Sequence, residues 1–104
     1  MESGDDIIKK LQIELERIAD QFKLRSLSAF GSVCTPQFNA NSDVDLLVSF
    51  EDTIDLEDYA DNFFDLNEEL ERILNRNIDL VVDKSLKNPY LIKSIEGSKV
   101  LLYG

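Results

Sequence analysis

The amino-acid sequence predicts a small α/β (α+β) domain with one mixed β-sheet and packed helices, and three observations support this fold class. Two long segments place apolar residues at the three- and four-residue intervals of amphipathic helices. Short aliphatic runs of strand length lie between and after these segments. The chain has 104 residues, enough for one hydrophobic core, so we expect a single domain over residues 1–104.

The N-terminal third is predicted to form a helix, a strand and a tight turn. Apolar residues at helical spacing run from Ile7 to Phe22, with charged residues between them. The alternating segment 26–30 predicts a strand, which ends abruptly at Gly31-Ser32. A turn into a short helix is expected at that glycine.

The central part is predicted to form a strand, a helix and a second strand. After a polar loop at 37–42, segment 43–50 has the pattern of a buried strand that begins with carboxylates. Segment 55–75 has the apolar stripe of a second amphipathic helix and an acidic face for solvent. Segment 77–82 is aliphatic apart from one carboxylate, which indicates another strand.

The C-terminal part is predicted to contain a short helix and an edge strand. Asn88 and Pro89 suit the cap and the first turn of a helix. We expect Gly97 to end this helix and segment 100–103 to form a last strand at the edge of the sheet. The whole order of elements is typical of one α/β unit.

The charge of the chain is strongly acidic. Asp and Glu outnumber Lys and Arg by 21 to 11, which gives a formal net charge of -10. Such a surface repels phosphate backbones, so we expect no direct nucleic-acid binding. Simple solubility and a basic partner protein explain the charge equally well, and composition does not choose between them.

Cysteine content and hydropathy indicate the compartment. The single cysteine, Cys34, cannot form an internal disulfide and is expected to be a small packing residue. The first residues lack the basic-then-apolar layout of a secretory signal, and no apolar run approaches membrane-spanning length. We therefore expect a cytoplasmic protein that does not bind membranes.

The absence of histidine limits the possible chemistry. Without histidine the chain cannot use Ser-His-Asp or Cys-His nucleophilic machinery, or the zinc sites that rely on imidazole ligands. Any catalysis must therefore use carboxylates. Carboxylate oxygens favour hard cations, so magnesium or manganese is the expected class of cofactor.

Three aspartates, Asp43, Asp45 and Asp79, form the candidate site. Side chains alternate along a strand, so Asp43 and Asp45 share a face, with Cα atoms about 6 to 7 Å apart. If the next strand is a neighbour, Asp79 can join them at one end of the sheet. Three close carboxylates repel one another unless a cation neutralises them, which favours a divalent metal site. The alternative is that each is a turn residue or a solvent-facing strand end.

Gly31-Ser32 is a candidate phosphate-binding turn. It follows a strand and precedes a short helix, where glycine permits close backbone approach and free amide groups can hold a phosphate. The Ser32 hydroxyl adds a donor. A Gly-Ser pair alone is usually an ordinary turn, so this prediction depends on its position relative to the aspartates.

The combination of these motifs resembles a known family. Gly31-Ser32, ten intervening residues, and then Asp43-Val44-Asp45 with a following aliphatic run resemble the signature of the DNA polymerase beta type nucleotidyltransferase superfamily. Asp79, between aliphatic residues, resembles the third carboxylate of that family. Within the superfamily the chain is similar to the minimal nucleotidyltransferase (MNT) group, whose fold is the polymerase beta palm, and the resemblance covers nearly all of the chain.

The resemblance implies a function and a role for each residue. Many MNT proteins are MntA-like antitoxins, paired with a small helical HEPN toxin that they inactivate by transferring AMP from ATP to a tyrosine hydroxyl. Asp43 and Asp45 would then bridge two Mg²⁺ ions, while Asp79 would bind the catalytic ion and help to deprotonate the acceptor. Gly31 and Ser32 would hold the triphosphate.

One difference from the family keeps other functions open. Family members commonly read Gly-Ser-Arg-Ala-Arg-Gly at the turn, whereas this chain continues from Ser32 with Val33-Cys34-Thr35-Pro36. The lost arginines would supply positive charge near the triphosphate. One alternative is therefore a non-catalytic antitoxin that neutralises its partner by complex formation. Another is a small-molecule nucleotidyltransferase subunit completed by homo- or hetero-oligomerisation. Lys23, Arg25, Lys84 and Lys87 are possible sources of the missing charge, and the sequence does not choose among them.

Overall fold

The helices and strands follow the order that the sequence predicts. A computed structural model describes residues 2–104. Its elements are α1 (Gly4–Ile18), β1 (Leu24–Phe30), β2 (Val44–Phe50), α2 (Leu56–Leu74), β3 (Ile78–Val82), α3 (Pro89–Ser98) and β4 (Val100–Tyr103), with 3₁₀ helices at Gly31–Cys34 and Asp83–Ser85. The short helix expected at Gly31 is thus confirmed as a 3₁₀ helix.

The four strands form one mixed sheet in the order β3-β2-β1-β4. Strand β1 is antiparallel to β2 and to β4, whereas β2 and β3 are parallel neighbours connected through α2. Parallel neighbours bring their N-terminal ends to the same end of the sheet. The aspartates of β2 and β3 therefore lie at one end, and the predicted edge position of β4 is confirmed.

The hydrophobic core lies on one face of the sheet. Apolar residues of α1 and α2 pack there against alternate residues of the strands. The largest fully buried side chains are Ile7, Leu11, Leu15, Ile18, Leu27, Val44, Leu46, Val48, Leu66 and Leu70. The opposite face carries the intervening residues of β2, including Asp45, so the candidate site lies on the face away from this core.

Two helix ends differ from the prediction. Helix α1 ends at Ile18 rather than Phe22, because the chain turns and adopts a left-handed conformation at Lys23 (φ 56°) before β1. Phe22 is nevertheless buried. Helix α3 continues through Gly97 to Ser98, and the extended residue Lys99 ends it. Gly97 is therefore not a left-handed cap.

The ends of α2 and the start of α3 agree with the prediction. Asp55 precedes the first residue of α2, and Asn75 ends that helix in a left-handed conformation (φ 52°). The Asn88 side chain accepts hydrogen bonds from the backbone N–H groups at the start of α3. None of the helices within residues 2–104 has the length and apolar character needed to cross a membrane.

Candidate active site

Asp45 and Asp79 lie side by side on adjacent parallel strands. They are register partners in the β2–β3 ladder, so their side chains project from the same face of the sheet. Neighbouring strands are about 4.8 Å apart, which brings two such carboxyl groups within reach of a shared ligand. Asp45 is half-buried, and Asp79 is exposed at the β3 edge of the sheet.

The sequence predicted Asp43 as the first residue of β2, but this residue lies one position before the strand. Its side chain is exposed. The neighbouring Val44 N–H donates to the Asn77 carbonyl (3.2 Å), which ties the start of β2 to the start of β3. Asp43 therefore approaches the Asp45–Asp79 pair from a loop and has more freedom than either.

The electrostatics at this end of the sheet are unfavourable for three ionised carboxylates. Burial raises the pKa of Asp45, and the negative charges of Asp79 and Asp43 raise it further. The two neighbours thus already act on Asp45 through charge. A bound cation would reverse this effect and favour the ionised form.

Gly31 leaves the space in which the Asp45 carboxylate lies. Its backbone is left-handed (φ +74°), and a Cβ at this position would lie 2.2 Å from Asp45 Oδ2. The register explains the contact, because the preceding residue, Phe30, is opposite Asp45 in the β1–β2 ladder. Only glycine permits both this conformation and this approach. The structure thus brings the predicted turn against the predicted carboxylate.

The rest of the turn is a short 3₁₀ helix held by Thr35. The Ser32 carbonyl accepts hydrogen bonds from the Thr35 backbone N–H (2.9 Å) and from Thr35 Oγ1 (2.9 Å). The Ser32 side chain is half-buried next to Gly31. The Cys34 thiol is also half-buried, and burial raises its pKa, so this cysteine is not an activated thiolate.

The donor set fits a hard divalent cation, although the side chains are not arranged as a closed ligand cage. Within residues 2–104, no three acidic or cysteine side chains lie close enough together to enclose a metal ion as they stand. Carboxylate oxygens are nevertheless the ligands that Mg²⁺ uses, and the mutual repulsion at Asp45 is what a cation would relieve. Asp43, on its loop, is the member whose side chain must turn toward the others.

Three of the four basic residues considered as replacements for the missing arginines lie at the opposite end of the sheet. Arg25, near the start of β1, pairs with Asp52 beyond the end of β2 (2.5 Å), and Lys84 approaches the same carboxylate (3.7 Å). The Lys23 carbonyl accepts from the Glu51 N–H at that end (2.8 Å). These residues do not restore positive charge beside Gly31.

Arg76 is the residue at this end of the sheet that sequence reasoning missed. It follows α2, three residues before Asp79, and its Nη1 donates to the Ser42 carbonyl (2.8 Å) and to the Asn39 carbonyl (3.3 Å). Its guanidinium also lies 4.5 Å from the centroid of the Phe38 ring. The only signal in the sequence was a basic residue close to a candidate aspartate, which is common on any surface.

Comparison with known families identifies the family of this chain. Residues 12–104 match the family described as "Polymerase beta, Nucleotidyltransferase". The chain belongs to this nucleotidyltransferase family. The match includes the Gly31 turn and all three aspartates of the candidate site, and the four-stranded mixed sheet with three helices is the fold of minimal nucleotidyltransferases.

Two relatives of this nucleotidyltransferase are named for protein adenylylation. A candidate protein adenylyltransferase of Methanocaldococcus jannaschii, MJ0128, is 37% identical over 91 residues, which cover 88% of this chain and 86% of the relative. The protein adenylyltransferase MntA of Thermococcus cleftensis is 33% identical over 84 residues, which cover 81% of each chain. Both relatives align over most of their length.

Solved structures of toxin–antitoxin complexes share the nucleotidyltransferase fold. One complex with AMP-PNP superposes with a TM-score of 0.68 at 24% identity and covers 89% of this chain and 73% of that one. A tri-AMPylated Shewanella oneidensis HEPN toxin in complex with its MNT antitoxin gives a TM-score of 0.63 at 21% identity, covering 93% and 72%.

Proposed function

We propose that this nucleotidyltransferase is a magnesium-dependent protein adenylyltransferase that transfers AMP from ATP to a hydroxyl, expected to be tyrosine, of a HEPN toxin. It would thus be the antitoxin of the pair. The observation that supports this most directly is the Asp45–Asp79 pair beneath a glycine whose missing side chain makes room for the Asp45 carboxylate. A packing contact alone would not need two carboxylates in register on adjacent strands.

Each residue has a defined role in this proposal. Asp43, Asp45 and Asp79 hold the metal, and Gly31 and Ser32 bind the triphosphate at the start of the 3₁₀ helix. Asp79, exposed at the sheet edge, faces the incoming acceptor and takes its hydroxyl proton. The acceptor oxygen bonds to the α-phosphorus, the bond from that phosphorus to the bridging oxygen breaks, and pyrophosphate leaves.

Magnesium bound by the three carboxylates would neutralise their charge and stabilise the charge that develops on the attacking and leaving oxygens. Two ions would suit a set of three carboxylates. The raised pKa of Asp45 is consistent with a site that requires such a cation for all its ligands to be ionised.

The choice of a protein acceptor rests on the relatives. Relatives that align over most of their length are named protein adenylyltransferases, and structures with this fold contain a HEPN toxin. A cytoplasmic location is consistent with such a pair.

The experiment compares two matched variants, Asp45→Asn at the site and Asp52→Asn at the opposite end of the sheet. We would first titrate ATP with Mg²⁺ into each protein by calorimetry. We would then search the neighbouring genes for a HEPN protein and incubate each variant with that protein and α-labelled ATP. We expect the wild type and Asp52→Asn to bind ATP and label the partner, and Asp45→Asn to lose the label by at least about 100-fold.

One observation favours a second candidate function, a non-catalytic antitoxin. The turn that begins at Gly31 contains Val33 and Thr35 where family members commonly carry arginine, and Arg25 and Lys84 are engaged at the far end. The same variants separate the two functions. If Asp45→Asn neutralises the toxin as well as the wild type does, and neither labels it, the protein acts by complex formation.

A further inference from the structure

The start of β2 and the start of β3 are joined by a set of hydrogen bonds centred on the α2–β3 turn. The Glu71 carboxylate at the end of α2 accepts from the Ile78 N–H (3.2 Å), and the Asn77 carbonyl accepts from the Val44 N–H (3.2 Å). Arg76 extends this set to the loop before Asp43. All three contacts link positions that flank the candidate aspartates.

Arg76 holds the loop at two points and covers a ring at a third. Its Nη1 reaches the carbonyl of Ser42, the residue directly before Asp43, and the carbonyl of Asn39. Its guanidinium plane lies over Phe38, which packs against the core. Arg76 and Asp43 also line the same open, polar cavity of about 530 Å³.

We propose that Arg76 is a positioning residue, which fixes the loop at 38–42 and thereby keeps Asp43 beside the Asp45–Asp79 pair, where its carboxylate can turn toward a shared cation. The metal-related part of this inference rests on the proposed function, whereas the holding of the loop does not. Asp43 is the one aspartate of the three outside a strand. Its position therefore depends on the loop, and Arg76 connects that loop to the turn that precedes Asp79.

The contacts require arginine rather than any cation. A planar guanidinium can donate to carbonyl groups and stack on an aromatic ring at the same time. A lysine ammonium at this position would reach one carbonyl at best and would not cover Phe38 in the same way. Arg76→Lys should therefore restore only part of what Arg76→Ala removes.

The first test is hydrogen exchange of the metal-free protein, which does not depend on catalysis. The backbone N–H groups of Phe38 and Ser42 donate within the loop, and that of Val44 donates to Asn77, so their exchange reports how well the loop is held. We expect Arg76→Ala to speed exchange in 38–44 by about tenfold, with little change in α1 and the centre of the sheet. Arg76→Lys should give an intermediate rate.

Arg72→Ala provides the matched control. Arg72 lies one turn earlier, near the end of α2, is exposed, and among residues 2–104 forms an ion pair with Glu69 alone. We expect its exchange pattern to equal that of the wild type. Equal exchange in 38–44 for the wild type and Arg76→Ala would overturn the proposal, as would a rise of the same size throughout the chain.

The second test measures Mn²⁺ affinity by electron paramagnetic resonance of the free ion. We expect Arg76→Ala to weaken Mn²⁺ binding about tenfold, Arg72→Ala to leave it unchanged, and Asp43→Asn to weaken it at least as much. An unchanged Mn²⁺ affinity in Arg76→Ala would show that Arg76 does not position Asp43. If the wild type itself binds no Mn²⁺, the proposed function fails, and the exchange data alone decide whether Arg76 holds the loop.

Discussion

The aspartates at the two ends of the sheet, Asp45 and Asp52, have pKa values that are shifted in opposite directions. At one end, burial and the charges of Asp79 and Asp43 raise the pKa of Asp45. At the other end, Arg25 and then Lys84 lower the pKa of Asp52. The first carboxylate is half-buried among like charges, and the second is exposed between two cations.

This difference indicates that the end with Asp45 is the one that binds an external ligand. Arg25 and Lys84 pair with Asp52 at the far end, although an exposed aspartate would cost little stability if it were unpaired. The half-buried Asp45 carboxylate has two negatively charged neighbours instead, Asp79 and Asp43. Natural chains retain such repulsion at functional sites, where a ligand offsets it.

The largest effect is expected from a side chain at Gly31. In Gly31→Ala, the new Cβ would lie 2.2 Å from Asp45 Oδ2, and the backbone would keep a positive φ of +74° or have to change. We expect a loss of about 1 to 3 kcal/mol in the free energy of unfolding, measured by urea denaturation, because a positive φ costs about that much for a residue with a side chain, while the Asp45 carboxylate can shift to relieve the clash. Mg²⁺-dependent ATP binding should be lost as well.

Gly97→Ala is the control for that variant. Nothing lies within 4 Å of a Cβ at this position, which is exposed in α3. Alanine favours a helix by about 0.8 to 1.0 kcal/mol over glycine, so this variant should be more stable than the wild type and keep ATP binding. A Gly31→Ala protein as stable as Gly97→Ala would contradict the account of the Gly31 turn.

Asp45→Asn is expected to have a smaller effect on stability, and the sign of this effect should depend on whether Mg²⁺ is bound. Without metal at pH 7, the variant should be more stable than the wild type by about 1 kcal/mol or less, because it removes a repelled charge that solvent partly screens. With saturating Mg²⁺ the order should reverse, since only the wild type gains stability from the bound ion, by about 2.7 kcal/mol at 100 times the Kd. Thermal unfolding with and without Mg²⁺ measures both differences.

Without metal, the difference in stability between the wild type and Asp45→Asn should depend on pH, because the pKa of Asp45 is raised. Its pKa is higher in the folded state than the ordinary value of 3.8, so the folded protein holds the proton more tightly. The contribution of Asp45 to wild-type stability therefore falls as pH rises from about that ordinary value through the raised pKa. The advantage of Asp45→Asn should be full at pH 7 and vanish below the ordinary value. An advantage that persists in acid would contradict a charge-based cause.

The fold was largely predictable because its signals are local and periodic. The apolar stripes of α1 and α2, and the Asn88-Pro89 start of α3, follow from helix spacing and capping. Helix ends were less predictable. Lys23 adopts a left-handed backbone that its residue type does not favour, and Gly97 remains helical, because tertiary contacts and chain direction decide both.

The candidate site was predictable in its residues but not in its arrangement. Spacing indicated Asp43, Asp45 and Asp79 on chemical grounds, and the family resemblance related them to Gly31. The register of Asp45 with Asp79, and the close approach of Gly31 to Asp45, depend on pairing between distant strands. Arg76 acts on a loop that lies more than thirty residues earlier, a contact that no local pattern indicates.

The smallest effect is expected from Asp52→Asn, which removes the carboxylate between Arg25 and Lys84. Because Asp52 is 72% exposed, its ion pairs are screened by solvent, and we expect no measurable change in Tm. Mg²⁺-dependent ATP binding, measured by calorimetry, should equal that of the wild type at low and at high salt. If instead Asp52→Asn weakened ATP binding as much as Asp45→Asn, net charge rather than local geometry would control the site. The contrast between the two ends of the sheet would then lose its functional meaning.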